Sequence, residues 1–133
     1  MVDGTGTKDD PWRLTTAPGS SAYEMYRDED TDPPALRCQV GTTWLSYRLE
    51  AIEDLHAWLQ EQGDWVDLGA ADEKKPSKAG TVEAWGRDPA NPVGGWYGLR
   101  NGYRGRFGMY LPPLLEALGL VELTHDPRNN RVR

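Results

Sequence analysis

Two short segments of alternating apolar and polar residues, at 36–40 and 43–49, constrain the fold of this chain most strongly. Successive side chains of a β-strand point to opposite faces of a sheet, so this alternation is typical of a half-buried strand. Gly41 and Thr42 separate the two segments and are suited to a tight turn. The sequence therefore predicts a β-hairpin with one buried face, and Cys38 is expected on that face as a small core residue.

The regions on either side of this hairpin predict more strands and one clear helix. Residues 12–16, 23–27 and 65–68 can each form a short strand. Residues 49–62 carry apolar side chains at helical spacing, and Gly63 is suited to end a helix. The first half of the chain is therefore expected to form an antiparallel sheet followed by an amphipathic helix.

The middle of the chain is rich in loop signals. Residues 69–80 are a polar connector, after which Thr81 is suited to cap a short helical segment. Glycine, proline and aromatic residues are interleaved over 88–105, a pattern that predicts a long loop.

The last third predicts a helix and a hairpin. An apolar stripe over 107–118 has helical spacing, and Pro112 and Pro113 either kink this helix or divide it into two short ones. Beyond it, residues 120–123 and 131–133 can pair as two strands around a polar turn.

Together these elements predict an α+β fold: an N-terminal antiparallel sheet with a central amphipathic helix, then a Gly/aromatic loop, a helix and a C-terminal β-hairpin. With 133 residues, the chain has the size of a single domain that buries a core without disulfides or metal. Residues 1–11 are polar and glycine-rich and are expected to be a loosely ordered terminus.

The net charge of −6 is unevenly distributed along the chain. Residues 1–73 form an acidic half with sixteen acidic and five basic side chains, whereas residues 74–133 form a basic half with five and ten. Such an uneven distribution indicates either an anionic partner for the basic half or two halves that neutralise each other across their interface. The sequence leaves both interpretations open.

The stretch 97–110 combines arginine and aromatic residues and contains no acid. Arginine binds phosphate and stacks on rings, and aromatic side chains offer surfaces on which nucleic-acid bases stack. This pattern makes Arg100, Tyr103, Arg104 and Arg106 candidate ligands for nucleic acid. The alternative is that the rings are core residues and the arginines pair with carboxylates of the acidic half.

The C-terminal residues resemble part of a winged helix-turn-helix domain. The likeness is carried by residues 114–122, with their Leu-Gly-Leu-Val run, and by residues 126–133. In that family, a recognition helix ends in such a run and a two-stranded wing with basic residues follows. The resemblance implies DNA contacts from four wing residues: Arg128, Asn130, Arg131 and Arg133.

Over most of its length, the chain is also similar to a family of small bacterial proteins of unknown function. The resemblance is carried by Asp-Asp-Pro-Trp at 9–12, Glu-Ala-Trp-Gly-Arg at 83–87, Asn-Pro-Val-Gly-Gly-Trp-Tyr-Gly at 91–98 and Gly-Arg-Phe at 105–107. It implies a bacterial origin and one domain, and it implies no activity.

Several function classes lack support in the sequence. Cys38 is the single cysteine, so no disulfide within the chain is expected. Asp28, Asp30 and Asp32 are not followed by the glycine and the final acid of a calcium loop, so no metal site is expected. No phosphate-binding glycine motif and no nucleophile motif is present, so no cofactor is expected and no catalytic residue is assigned. The chain shows neither an apolar leader nor a run of about 18 apolar residues, which predicts a cytoplasmic protein that does not enter the membrane.

These observations favour a non-enzymatic binding module whose partner is nucleic acid, bound by the basic C-terminal half. The alternative is a protein-interaction module of the immunity or antitoxin kind, which would use the acidic half against a basic protein. A small enzyme of unknown class is the third option, and the oligomeric state stays open. The surroundings of the six arginines at 100, 104, 106, 128, 131 and 133 decide between a ligand surface and an internal contact.

Overall fold

The computed structural model describes residues 2–133, and this part of the chain contains six β-strands and three α-helices. The strands are β1 (Trp12–Thr15), β2 (Ala22–Asp28), β3 (Ala35–Val40), β4 (Thr43–Arg48), β5 (Val66–Asp67) and β6 (Arg131–Val132). The helices are α1 (Ala51–Gln62), α2 (Val82–Trp85) and α3 (Phe107–Ala117). None of these helices is long and apolar enough to cross a membrane. The α+β fold predicted from the sequence is confirmed.

Strands β1 to β4 form an antiparallel sheet in sequence order. Val40 pairs with Thr43 across the turn, where Gly41 has a φ of 60° that glycine adopts without strain. One face of the sheet is buried and includes Cys38, the pKa of whose thiol is raised by burial. The hairpin predicted from the alternating pattern is therefore confirmed.

Helices α1 and α3 lie where apolar spacing predicted them. α1 ends at Gly63, which takes a left-handed conformation with a φ of 67°. α3 continues through Pro112 and Pro113, so the two short helices are not observed. Leu111 and Leu114, on either side of the prolines, are fully buried. Their burial offsets the loss of the two backbone donors that proline lacks.

The C-terminal hairpin is present, and it pairs on both sides of its last strand. Leu123 bridges Val132, and the backbones of Glu122 and Arg133 exchange two hydrogen bonds. On its other side, β6 pairs with β5, where Val132 faces Val66. This second pairing attaches the C-terminal residues to the segment that follows α1.

Residues 3–10, expected to be loosely ordered, fold back onto the sheet. The backbone N–H of Arg27 in β2 donates to the carbonyl of Gly6. Gly6 is buried, and a Cβ there would overlap the ring of Trp12. The attachment depends on backbone groups and a close glycine contact, which a polar composition does not reveal.

The helices and the sheet share one set of buried residues. A series of ring contacts begins at the half-buried Trp58 and continues through this core, with centroid distances of 5.3, 5.1, 5.2 and 5.9 Å. The rings are, in order, those of Trp58, Trp85, Tyr97, Phe107 and Tyr47. Buried aromatic pairs at this separation contribute to stability beyond their burial. This ring series holds both ends of the segment 97–107, on which four of the candidate residues lie.

Candidate nucleic-acid interface

The candidate residues 100–106 lie between anchored aromatic side chains. Tyr97, Phe107 and Tyr110 are 0%, 1% and 6% exposed, whereas Tyr103 is 41% exposed. Three rings of this stretch are therefore core residues, as the alternative interpretation predicted. Tyr103 is the aromatic residue of residues 97–110 that a ligand can reach.

The polar connector 69–80 packs directly against this loop. The backbone N–H groups of Gly102 and Arg104 donate to Oε2 and Oε1 of Glu73, respectively, and both hydrogen bonds are 2.9 Å long. Gly105 approaches so closely that a Cβ would overlap the backbone of Glu73. The connector and the loop thus form one surface, although about thirty residues separate them in the sequence.

One part of this surface is an ionic group that we call the Trp96 cluster, consisting of Glu73, Glu83, Arg87, Trp96 and Arg104. The guanidinium carbons of Arg87 and Arg104 lie 4.5 and 4.4 Å from the centre of the Trp96 ring. Arg87 pairs with Glu83 at 2.6 Å, and Arg104 pairs with Glu73 at 2.7 Å. The side chains of Glu83 and Arg87 are only 1% and 11% exposed. The charges of this cluster are therefore neutralised within the protein.

Glu83 also links three elements. Its Oε1 accepts hydrogen bonds from the backbone N–H groups of Gly108 at 2.9 Å and Ala71 at 3.3 Å. The carboxylate lies at the N-terminal end of α3, where the helix dipole favours negative charge. Arg87 donates in turn to the carbonyls of Ala71 and Lys75. The pair joins α2, α3 and the connector, so its role is architectural.

Glu73 is held in its charged form by the same surroundings. The hydrogen bond from the Arg104 guanidinium lowers the pKa of Glu73, and the backbone donors of Arg104 and Gly102 act in the same direction. The carboxylate is therefore ionised at neutral pH. It forms an ion pair with the guanidinium of Arg104 and neutralises its charge.

The other part of the surface is open to solvent. The guanidinium carbon of Arg100 lies 4.2 Å from the centre of the Tyr103 ring, and both side chains are exposed. Lys74 and Lys75 follow Glu73 directly and are exposed as well. Among residues 2–133, no carboxylate lies within 4.0 Å of the charged groups of Arg100, Lys74 or Lys75. These three cations are available to an external anion.

Arg106 stands next to this open region in a strained conformation. It precedes α3 with a φ of 63° and a ψ of 20°, a left-handed geometry that costs a residue with a Cβ about 1 kcal/mol and glycine almost nothing. Its guanidinium lies 3.6 Å from Asp72, and both side chains are 47% exposed. Glycine would be less strained at this position, so the presence of arginine indicates that its side chain has a role. We call the following set the Tyr103 face: Lys74, Lys75, Arg100, Tyr103 and Arg106.

Asn130, a candidate from the wing, supports its own hairpin from within. It is 7% exposed, and its side-chain nitrogen donates to the carbonyl of Asp126. Its Oδ1 accepts from the Asp126 N–H at 2.7 Å and from the Thr124 hydroxyl at 2.9 Å. Both polar atoms of this side chain are engaged inside the turn.

The three wing arginines are more accessible. Arg133 lies 4.6 Å from the centre of the Trp65 ring and 3.4 Å from Glu122. Arg131 faces Asp67 across the pairing of β6 with β5, and Arg128 is exposed. The six arginines therefore belong to two parts of the fold: three lie on the loop beside the connector, and three lie on the C-terminal hairpin beside β5.

A protein-family model matches residues 4–133, which is nearly the whole chain. Its description is a family of unknown function, DUF6855. The chain belongs to this family. No curated protein and no solved structure matches it. The predicted membership of a family without an assigned activity is thus confirmed.

The resemblance of the C-terminal end to a winged helix is not confirmed. A recognition helix must expose one face to enter a DNA groove, whereas all eleven residues of α3 are buried or half-buried. The strand that would form the wing is also shared with β5. α3 is a core helix of this fold.

Sequence reasoning did not find Glu83, Lys74 and Lys75 as parts of this surface. The spacing of Glu83 and Arg87, four residues apart on a helical segment, is a signal that could have found the ion pair. The two lysines carry no comparable signal, because nothing local shows that the connector packs against the loop.

Within the described part of the chain, no group of three or more His, Cys, Asp or Glu side chains could hold a metal ion.

Proposed function

We propose that this protein is a non-enzymatic binding module that holds single-stranded nucleic acid on the Tyr103 face. The observation that carries the proposal is the exposed contact of Arg100 with Tyr103, in a loop whose backbone bonds Glu73. Glu73 directly precedes Lys74 and Lys75, which have no acidic partner within 4.0 Å in residues 2–133.

The charge of this face suits a phosphate backbone. Lys74, Lys75, Arg100 and Arg106 contribute four positive charges, and the nearby Asp72 contributes one negative charge. Cations that neutralise phosphates release condensed counterions, which drives binding even when the net charge of the whole protein is −6. The local excess of positive charge therefore supports an anionic ligand.

The exposed ring of Tyr103 favours a single strand over a duplex. An aromatic side chain stacks on a base only when that base is free of its neighbours, and such stacking contributes about 1–3 kcal/mol per base. Arg100 adds a planar guanidinium to the same surface.

Some acids of the acidic half, the alternative surface for a basic protein partner, have partners within the chain. Asp54 accepts a hydrogen bond from the Tyr97 hydroxyl at 2.8 Å, and Glu50 lies 3.4 Å from Arg48. Two of the acids expected on that surface thus have partners within the chain, although Glu50 is exposed like Glu53.

Fluorescence anisotropy with labelled single-stranded RNA and DNA tests the proposal at about 50 and 200 mM salt. The triple variant K74Q/K75Q/R100Q should bind about tenfold more weakly at the lower salt. Its log–log salt slope should fall by about 2, because each phosphate contact on a single strand contributes about 0.7.

The matched control is the triple variant R128Q/R131Q/R133Q, which removes the same charge from the C-terminal hairpin. It should bind within about threefold of the natural sequence, because these arginines belong to the hairpin beside β5 and not to the Tyr103 face. Absence of binding at about 50 mM salt, or an equal loss in both triple variants, would contradict the proposal.

A further inference from the structure

We infer that the cleft beneath Tyr103 receives one nucleotide of the bound strand, with a guanine base inside and its phosphate at Arg106 and Arg100. This inference rests on the proposed function and adds to it a site and a preferred base. The cleft has a volume of about 380 Å³ and lies between the β3–β4 end of the sheet, the connector and the loop. Its lining includes Thr43, Leu45, Asp72, Tyr103, Arg106 and Tyr110.

The size and the floor of the cleft suit a flat heterocycle. Pockets of roughly 300–1,000 Å³ hold small molecules, so this one has room for a single base with its sugar and no room for a base pair. Leu45 and Tyr110 are each 6% exposed and contribute apolar surface. Tyr103 lies at the solvent side with 41% exposure, where its ring can close over a base.

The polar groups of the cleft are incompletely engaged with each other. Asp72 and Arg106 approach to 3.6 Å, whereas Glu73 and Arg104 behind them bond at 2.7 Å. The Oδ1 of Asp72 accepts from the Lys74 backbone N–H at 3.1 Å, and its Oδ2 lies 3.6 Å from Arg106. A carboxylate offers about four acceptor sites, so Asp72 can still accept two further neighbouring N–H donors. Guanine presents such a pair at its N1 and its exocyclic amino group, and uracil presents a single N–H. The carboxylate therefore favours guanine.

Arg106 is placed to hold the phosphate of the same nucleotide. Its guanidinium is 47% exposed, and its residue lines the cleft next to the loop that carries Arg100. A guanidinium binds phosphate oxygens in a bidentate manner. The left-handed backbone of Arg106 would suit glycine better, which is consistent with selection for the side chain at this position.

Amide chemical-shift titration of the ¹⁵N-labelled full chain tests the inference, with GMP, UMP and ribose 5-phosphate as probes. GMP should give saturable shifts at Thr43, Asp72 and Tyr103, and UMP and ribose 5-phosphate should each bind about tenfold more weakly. The variant T43W fills the cleft from an exposed strand position and should weaken GMP binding about tenfold. T15W, at the exposed end of β1, is the matched control and should leave GMP binding unchanged.

Three outcomes would overturn the inference: no saturation by GMP, equal binding of GMP and ribose 5-phosphate or UMP, or unchanged GMP binding in T43W. Its failure is distinguishable from failure of the proposed function. If only the cleft inference were wrong, the protein would still bind oligonucleotides in a salt-dependent manner, and K74Q/K75Q/R100Q would still weaken that binding. That binding would be absent if the proposed function were wrong.

Discussion

The Trp96 cluster and the Tyr103 face place arginine against an aromatic ring in two contrasting ways. At Trp96, two guanidinium groups contact the ring and each also bonds a carboxylate at 2.6–2.7 Å. At Tyr103, one guanidinium contacts an exposed ring, and residues 2–133 supply no carboxylate within 4.0 Å of it. The neighbouring acids, rather than the arginine–aromatic pair itself, therefore separate a contact whose charges are neutralised within the protein from one whose charge faces solvent.

The largest expected effect comes from breaking the buried ion pair of the Trp96 cluster. E83Q leaves Arg87 buried without a counter-charge, so the free energy of unfolding in urea should fall by about 3–5 kcal/mol. The double variant E83L/R87M should recover part of this loss, because it removes both charges from the interior. A loss below about 1 kcal/mol for E83Q would contradict the architectural role of the pair.

Replacing each of the two rings by leucine compares the Trp96 and Tyr103 contacts directly. W96L should lower the free energy of unfolding by about 2 kcal/mol, because it removes a partly buried ring with two guanidinium contacts. Y103L should change it by less than about 0.5 kcal/mol, since Tyr103 is exposed. Equal losses in the free energy of unfolding in urea would show that Trp96 does not stabilise the fold more than Tyr103 does.

Glu73 gives the comparison a pH dependence. Its pKa in the folded protein lies below the ordinary value of 4.5, so its contribution to stability is present above that value and is lost as the pH falls through the folded pKa. The difference in stability between the natural sequence and E73Q should therefore be constant from about pH 6 to 8 and should shrink below about pH 4.5. Urea unfolding across this range measures it, and a difference that grows on acidification would contradict the assignment.

The smallest change in stability is expected for R106G, a variant that distinguishes an effect on binding from an effect on folding. R106G relieves a left-handed conformation worth about 1 kcal/mol and loses an exposed ion pair worth about 0–1 kcal/mol, so stability should be unchanged or slightly higher. Binding of single-stranded nucleic acid should weaken nevertheless, because a phosphate ligand is removed. Anisotropy and urea unfolding of the same variant test both parts, and a clear loss of stability would show that the arginine serves the fold.

Much of the fold could be predicted because its signals are local. Alternation over 36–40 and 43–49 predicted β3 and β4, and helical spacing predicted α1. Thr81 caps α2 as expected, its hydroxyl accepting from the Ala84 N–H. By contrast, the pairing of β6 with β5 and the attachment of residues 3–10 to the sheet depend on backbone contacts between distant segments, which no local pattern encodes.

The candidate site was predictable in part for the same reason. Composition indicated Arg100, Tyr103 and Arg106 as possible ligands, and these remain on the exposed face. Composition could not distinguish these residues from Arg104, because Glu73, the carboxylate that pairs with Arg104, lies 31 residues earlier in the chain.

By itself, the sequence determined the secondary-structure elements, the acidic and basic halves and the interleaving of arginine with aromatic residues, since each of these is a property of neighbouring residues. The tertiary structure alone decided which arginines are neutralised and which face solvent. The physical reason is that electrostatic pairing depends on distance in space, and the packing of residues 71–75 against 102–106 places carboxylates beside Arg104 and Arg106 but not beside Arg100.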